Sequence, residues 1–467
     1  MSSHDAVVEI GAGRRHGALV RSRARLRART AAASALGTLA VANLGVLFWL
    51  WWHGGNVTHV QSAGDALTSM ARITGLLGAY LALIQVLLLA RIPWLERRIG
   101  FDRLSVWHRW NGHACLDLVL AHVVFSVWGY ALLDRYSIPK EISTMLGGGI
   151  YPGMITATVG TALLIVVVLS SIVIARRRLP YEAWYAVHLT AYAAIALGWF
   201  HQIPTGNELV LDRIAADYWK SLYVATIALL AWFRFAAPLL RAFRHRLRVA
   251  EVAVEGPGVV SLRLTGRRLD RLQAEAGQFF LWRFLAPGRW WASHPFSLSE
   301  VPDGRSLRIT VKALGGFSAR LGELRPGTRV LAEGPFGVFT GAYLRRHKVI
   351  LVGGGIGITP VRSLLEELDG DVIFVYRVVR DEDVIFREEL DALANERGAA
   401  VHYVVGDHAA PGGERLLSPA HFDELVPDLA ERDAYVCGPP AMTELIERNL
   451  RQAGVPRRHI HTERFAL

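Results

Sequence analysis

The chain has 467 residues, of which 52% are apolar and only 20% charged, and its net charge is +11. Soluble domains average about 25% charged residues, so this composition excludes a disordered or fibrous chain and points to a membrane protein with a soluble part. Two cysteines, Cys115 and Cys437, exclude a disulfide scaffold, a four-cysteine zinc site and a cysteine-ligated iron–sulfur cluster.

The chain opens with an arginine-rich tail, residues 1–30, that carries seven arginines between Arg14 and Arg29. Six apolar runs follow, near 31–52, 68–90, 108–132, 154–175, 183–203 and 217–240. Each is long enough to span about 30 Å of hydrocarbon. The first lacks a clear cleavage site and reads as a retained helix, not a signal peptide. Arginine clusters follow the second run (Arg91, Arg97, Arg98, Arg103), the fourth (Arg176, Arg177, Arg178) and the sixth (Arg241, Arg244, Arg246, Arg248), and the intervening loops are poor in them. Residues 1–250 hold 25 Lys and Arg against 12 Asp and Glu, while residues 251–467 hold 27 against 29. The excess charge therefore reports topology. Both termini and the soluble half are expected in the cytoplasm, with a multi-pass domain in the cell membrane in contact with lipid. No nucleic-acid module accompanies the arginines, so no nucleic-acid partner is expected.

Polar groups inside spans are costly and need a reason. The third run holds His108, His113, Asp117 and His122, and the fifth holds His188 and His201. His108 and His122 are 14 residues apart, which is about 21 Å of helix and within roughly 40° of one face. His188 and His201 are 13 apart, about 140° off one face, an offset that a one-residue π-bulge or a kink between them would restore to alignment. Two helices each carrying a histidine near each membrane face can hold two haems stacked across the bilayer. The alternative is histidines hydrogen-bonded between helices without metal. His113 reads as structural, Asp117 as hydrogen-bonded within the bundle, and His53 and His59 as surface residues. Arg234, near the inner end of the sixth run, suits a haem propionate or a snorkelling position.

After Arg248 the pattern changes to short alternating runs over 245–342, which predict an antiparallel β-barrel. Over 346–467, KVILV, VIFVYRVV, AVHYVVGD and DAYVCGPP alternate with helical stretches, which predicts a parallel sheet covered on both faces. Gly353, Gly354, Gly355 and Gly357 end the first of these strands as GxGxxP, with Thr359 and Pro360 opening a helix. Such a turn lets backbone approach a pyrophosphate, although a purely structural turn is the alternative. The barrel carries HPFSLSE (His294–Glu300), and then Lys312, Gly315, Gly316 and Ser318 at the start of a short helix, a second candidate pyrophosphate site. YVCGPPAM sets Cys437 at the end of a strand, where a switch-point ligand would lie. The chain ends in HTERFAL, with Phe465 at an end free to fold back onto a site.

In order and spacing, the motifs of the soluble half resemble ferredoxin–NADP reductase. From about residue 31 to 467 the chain resembles the ferric reductase/NADPH oxidase family of transmembrane flavocytochromes, in its bacterial form. The resemblance implies that His108 with His188, and His122 with His201, ligate two b-type haems. It implies that His294, Pro295, Phe296 and Ser297 hold the FAD isoalloxazine, with Ser297 near N5, and that Lys312, Gly316 and Ser318 take the FAD phosphates. Gly354, Gly355, Gly357, Thr359 and Pro360, with Cys437, Gly438 and Pro439, would bind NADPH or NADH, and Phe465 would cover the flavin. Arg377 and Arg380 are candidates for a 2′-phosphate, or for surface charge pairing with Asp381, Glu382 and Asp383. The implied function is electron transfer from NAD(P)H through FAD and the haems to oxygen or ferric iron outside. An anchored flavin reductase without transmembrane transfer, and a dinucleotide-gated channel, are the alternatives.

Overall fold

A computed structural model describes residues 34–464 except 36, 148 and 173–177. The arginine-rich tail, Arg176, Arg177 and Phe465 lie outside the described residues. The described chain divides into two compact units: one holds residues 34–92 and Phe101–Phe235, the other Pro93–Gly100 and the residues from Ala236 onward.

The first unit is helical. Helix α1 (residues 37–51) runs into a π-helical turn, Trp52–Asn56, closed by Gly55 at φ 81°. Helix α2 (Ala63–Leu88) starts at a capping box in which Ser62 accepts from the Asp65 amide and Asp65 reaches back to Ser62. Helix α3 (Phe101–Asp134) has 34 residues. Helices α4 (Met154–Ser171) and α5 (Tyr181–Thr205) follow, then α6 (Arg213–Ala231), capped by Asp212. Helix α2 packs along α3, and α4 along α5. Small residues permit both close crossings: a Cβ on Gly129 of α3 would lie 2.8 Å from Thr68, and one on Gly160 of α4 would lie 2.7 Å from the Ala194 carbonyl. Among the described residues, four helical stretches are long and apolar enough to cross a membrane: Ala63–Leu88, Arg103–Asp134, Met154–Ser171 and Arg213–His245. Helix α5 has the length, but its tryptophans, tyrosines, histidines and Gln202 dilute its apolarity.

The second unit has two lobes. Strands β1 (Arg248–Gly256), β2 (Val259–Thr265) and β5 (Ser306–Lys312) make one antiparallel sheet, and β4 (His294–Ser297), β3 (Phe279–Phe284) and β6 (Val330–Phe336) another. Bridges from Arg248 to Arg329 and from Leu298 to Ile309 join the edges of the two sheets. Alternate residues point inward, so Phe280, Trp282, Phe284, Leu298 and Ile309 are fully buried between them. The other lobe is a parallel sheet ordered β11 (Ile460–Arg464), β10 (Asp433–Gly438), β7 (Lys348–Gly354), β8 (Asp371–Val378), β9 (Ala400–Val405). Val349 and Leu351 of β7 enter one core with α7 (Ile358–Glu367) and α8 (Arg387–Arg397). Ile350 and Val352 enter the other with α9 (Pro440–Gln452). Burial on both faces explains the near-continuous apolar runs of these strands. Sequence reading left the chain's end free, but residues 460–464 pair with β10 as an edge strand, Cys437 opposite Glu463. Backbone pairing therefore anchors the segment up to Arg464.

Candidate functional site

Helices α3 and α5 bring the four expected histidines together in pairs. The His108 and His188 ring centres are 5.9 Å apart, and those of His122 and His201 are 6.2 Å apart. Two imidazoles bound to one metal from opposite sides, at about 2 Å per bond, put their ring centres about 6 Å apart. Three rings have Nδ1 engaged: His108 with the Gln85 carbonyl (3.2 Å), His122 with the Ala71 carbonyl (2.7 Å) and His188 with Ser171 Oγ (3.2 Å). Such contacts orient the ring and leave Nε2 for a metal. The first two carbonyls belong to α2, whose glycines make room: a Cβ on Gly75 would lie 2.7 Å from His122 Nδ1. Among the described residues no three His, Cys, Asp or Glu side chains cluster as a metal site, so these are two-ligand pairs. The donor set fits a haem iron, which takes its other four ligands from the macrocycle.

The bulge that would align His188 with His201 is absent from α5: the helix is continuously α-helical between them. Asp117 is also a correction. It is exposed and makes no hydrogen bond among the described residues, because it sits opposite the α3 face that packs on α2. His113 is exposed on the same side. A residue missed by sequence reading is Arg72, next to Ala71. It donates to Asn56 Oδ1 (2.7 Å), and the Asn56 amide donates to the buried Glu208 (2.5 Å). A lone arginine inside an apolar run was the available signal.

In the reductase unit, β4 carries His294, Pro295, Phe296 and Ser297. His294 stacks on Phe317 at 3.8 Å between ring centres, and burial lowers its pKa. Ser297 is 3% exposed, and among the described residues its hydroxyl has no partner, a polar atom that a bound flavin could satisfy. Ser318 accepts from the Leu314 and Gly315 amides (3.0 and 3.1 Å), which ties its hydroxyl into its own turn. A Cβ on Gly315 or Gly316 would meet nothing, so that backbone faces open space. Lys312 turns toward the other lobe: its ammonium lies 3.6 Å from Asp383, and it lines a small cavity with Gly355, Ile356 and Tyr376.

The chain leaves β7 for β8 and β9 on one side and crosses to β10 on the other. The carboxyl ends of β7 and β10 therefore flank the crevice where such sheets bind ligands. Gly355 there has φ 53° and open space at its Cβ position. Gly357 serves packing, since a Cβ would lie 2.4 Å from the Cys437 carbonyl oxygen. Thr359 is buried and donates to the Ile356 carbonyl (3.1 Å), beside buried Pro360. Cys437 is fully buried; burial, then Glu463, pushes its thiol well above the usual range, so it stays neutral. Gly438 packs on Met442 and Gly354, and Pro439 is exposed beside it. Arg377 does not present its guanidinium to a phosphate. It is 9% exposed and donates to the Val378 and Val404 carbonyls. Arg380 is exposed and pairs with Glu382 (2.8 Å) and Asp383 (3.3 Å).

Three family profiles match in series: a ferric reductase-like transmembrane component over residues 74–199, an FAD-binding domain over 244–340 and an oxidoreductase NAD-binding domain over 351–448. Ferredoxin–NADP reductase B of Sorangium cellulosum is 30% identical over 208 residues, 41% of this chain and 85% of that protein. The ferredoxin–NAD(P)(+) reductase component of a Ralstonia naphthalene 1,2-dioxygenase/salicylate 5-hydroxylase system is 34% identical over 37% of this chain. There the match spans 55% of the relative's own length. A Vibrio cholerae nitric oxide dioxygenase FAD/NAD-binding domain superposes over 47% of this chain and 98% of its own, at 25% identity and a TM-score of 0.40. With a membrane component ahead of both nucleotide-binding domains, the chain has the ferric reductase/NADPH oxidase-like architecture and is an NAD(P)H-dependent FAD oxidoreductase.

Proposed function

We propose that this chain carries electrons across the cell membrane, from cytoplasmic NAD(P)H by way of FAD and two bis-histidine b-type haems to oxygen or ferric iron outside. The observation that carries this reading is the pair of histidine pairs, with ring centres at 5.9 and 6.2 Å, in one chain with flavin and nicotinamide domains. When bound, the flavin exchanges a hydride's two electrons for single ones, and the haems accept one each. His108 and His188 would hold the inner haem, and His122 and His201 the outer. The carbonyls of Gln85 and Ala71 fix the ring orientation of His108 and His122. The strand His294–Ser297 would hold the isoalloxazine, and the open backbone at Gly315 and Gly316 the FAD phosphates. Gly354, Gly355 and the Cys437–Pro439 segment would hold the nicotinamide nucleotide, and the exposed Arg380, rather than the buried Arg377, would exchange its Glu382 and Asp383 partners for a 2′-phosphate. Phe465 would cover the flavin. In this reading α1 and α5 join the four most apolar stretches as spans, and both termini are cytoplasmic.

The test is purification with haem and FAD, anaerobic NADPH or NADH, and the haem spectrum, followed by oxygen or a ferric chelate. His122→Ala is expected to lose the outer haem's absorbance and acceptor reduction while flavin reduction survives. Unchanged haem content in that variant overturns the ligand assignment. A second reading, a membrane-anchored reductase that serves a soluble carrier such as ferredoxin, draws on the names of the relatives. It predicts no haem absorbance at all.

A further inference from the structure

Ser299 lies two residues beyond Ser297 and is fully buried. Its carbonyl accepts two guanidinium hydrogen bonds, from Arg308 Nη2 (3.0 Å) and from Arg362 Nη1 (3.0 Å). Arg308 belongs to β5 of the flavin lobe. Arg362 belongs to α7, the helix that leaves the glycine turn. Both then converge on one carboxylate, Glu389 in the first turn of α8. Arg308 grips it with both ends of its fork, Nη2 to Oε1 at 2.8 Å and Nη1 to Oε2 at 3.1 Å. Arg362 Nη2 reaches Oε1 at 2.5 Å. Arg362 Nη1 also donates to Glu366 (2.5 Å), which accepts from the Val301 amide at 2.9 Å. Neither arginine is more than 8% exposed.

A buried ion network of this kind is weak evidence for stability, because desolvation offsets much of the attraction. Its location is what distinguishes it. The stretch 297–301 is held on one side by its own β-sheet and on the other by α7, and α8 joins through the contacts of Glu389 with Arg308 and Arg362. Bidentate arginine adds geometric definition that a point charge lacks. We propose that Arg308, Arg362 and Glu389 are positioning residues for hydride transfer, clamping the flavin-bearing strand to the dinucleotide turn at a fixed spacing. This rests on the reading of both sites given above. In the step they serve, a hydride (one proton with two electrons) leaves C4 of the dihydronicotinamide, which is oxidised to the nicotinamide cation. Flavin N5 takes it up and the flavin is reduced. The three residues exchange no proton. Misplacing reacting groups by about 1 Å costs on the order of a hundredfold in rate, so a loosened clamp should slow the step and spare binding.

The experiment is anaerobic stopped-flow reduction of the purified, FAD-loaded full chain by NADPH and NADH. Glu389→Gln is expected to lower the limiting rate about tenfold or more, to move half-saturation less than about twofold, and to lose the long-wavelength nicotinamide–flavin charge-transfer band at unchanged FAD content. Arg308→Lys, which keeps the charge and loses the fork, is expected to do the same. It carries the test if Glu389→Gln sheds its flavin. Parental rates and a parental charge-transfer band in the variants overturn the proposal, as does a rate loss that only tracks lost FAD. If neither nucleotide reduces the unsubstituted protein, the functional reading itself fails, a result distinct from failure of the clamp.

Discussion

His461 shows how one side chain can set a pH limit. Its ring stacks on Tyr435 at 4.5 Å, and its Nε2 is buried without a partner among the described residues. Burial holds its pKa down to about 4; Asp433 opposes this, and Arg345 and His459 reinforce it. The unfolded imidazole titrates near 6.5, so below that pH the unfolded chain takes up a proton that the folded one refuses. Stability is therefore lost as pH falls from about 6.5 to about 4, by about 2 kcal/mol at pH 5. His461→Phe keeps the ring on Tyr435 and removes the titration. The drop in melting temperature between pH 7 and pH 5 should shrink in this variant, and an equal drop in both proteins would count against the account. Gly277 is a second single-residue constraint, with φ 78° and a Cβ position 1.9 Å from the Phe339 carbonyl oxygen, while its amide donates to Ser363. Gly277→Ala should cost roughly 2–4 kcal/mol, read as a lower melting temperature of the flavin unit.

Among the elements, α2 holds the α3 histidines through backbone carbonyls that no side-chain substitution removes directly. The accessible handle is the gap between the helices. Gly75→Leu drives a side chain into the space of the His122 imidazole, whereas a Cβ at Gly198 on α5 meets nothing. Under the proposed function, the haem to FAD ratio should fall by about half in Gly75→Leu and stay unchanged in Gly198→Ala, with NADPH reduction of flavin intact in both. A pyridine haemochrome assay reads the ratio. Much of this was legible in advance: the 14-residue spacing of His108 and His122 put them on one helical face. A bulge in α5 was not needed, because spacing along a helix reports azimuth and says nothing of how two helices incline. The edge strand β11 was missed because the five residues Ile460–Arg464, three of them polar or charged at their C-terminal end, carry little strand signal until β10 supplies the partner.

At the scale of the whole molecule, the arginine asymmetry makes a topological prediction. Both natural cysteines are buried, so introduced thiols can be labelled against a low background. Ser143 lies exposed between α3 and α4, and Ala409 lies exposed in the nucleotide lobe. With a membrane-impermeant maleimide, Ser143→Cys should label in intact cells and Ala409→Cys only after lysis. The reverse pattern would invert the proposed orientation. By itself the sequence determined the division into an apolar histidine-bearing half and a near-neutral nucleotide-binding half, because periodicity, charge placement and glycine spacing are local properties. Tertiary structure alone decided which carbonyls orient the histidines, that Arg377 is spent on backbone inside the sheet, and that Arg308 and Arg362 converge both on the Ser299 carbonyl and on Glu389. These contacts join residues far apart in the chain, and only packing fixes where such partners come to lie.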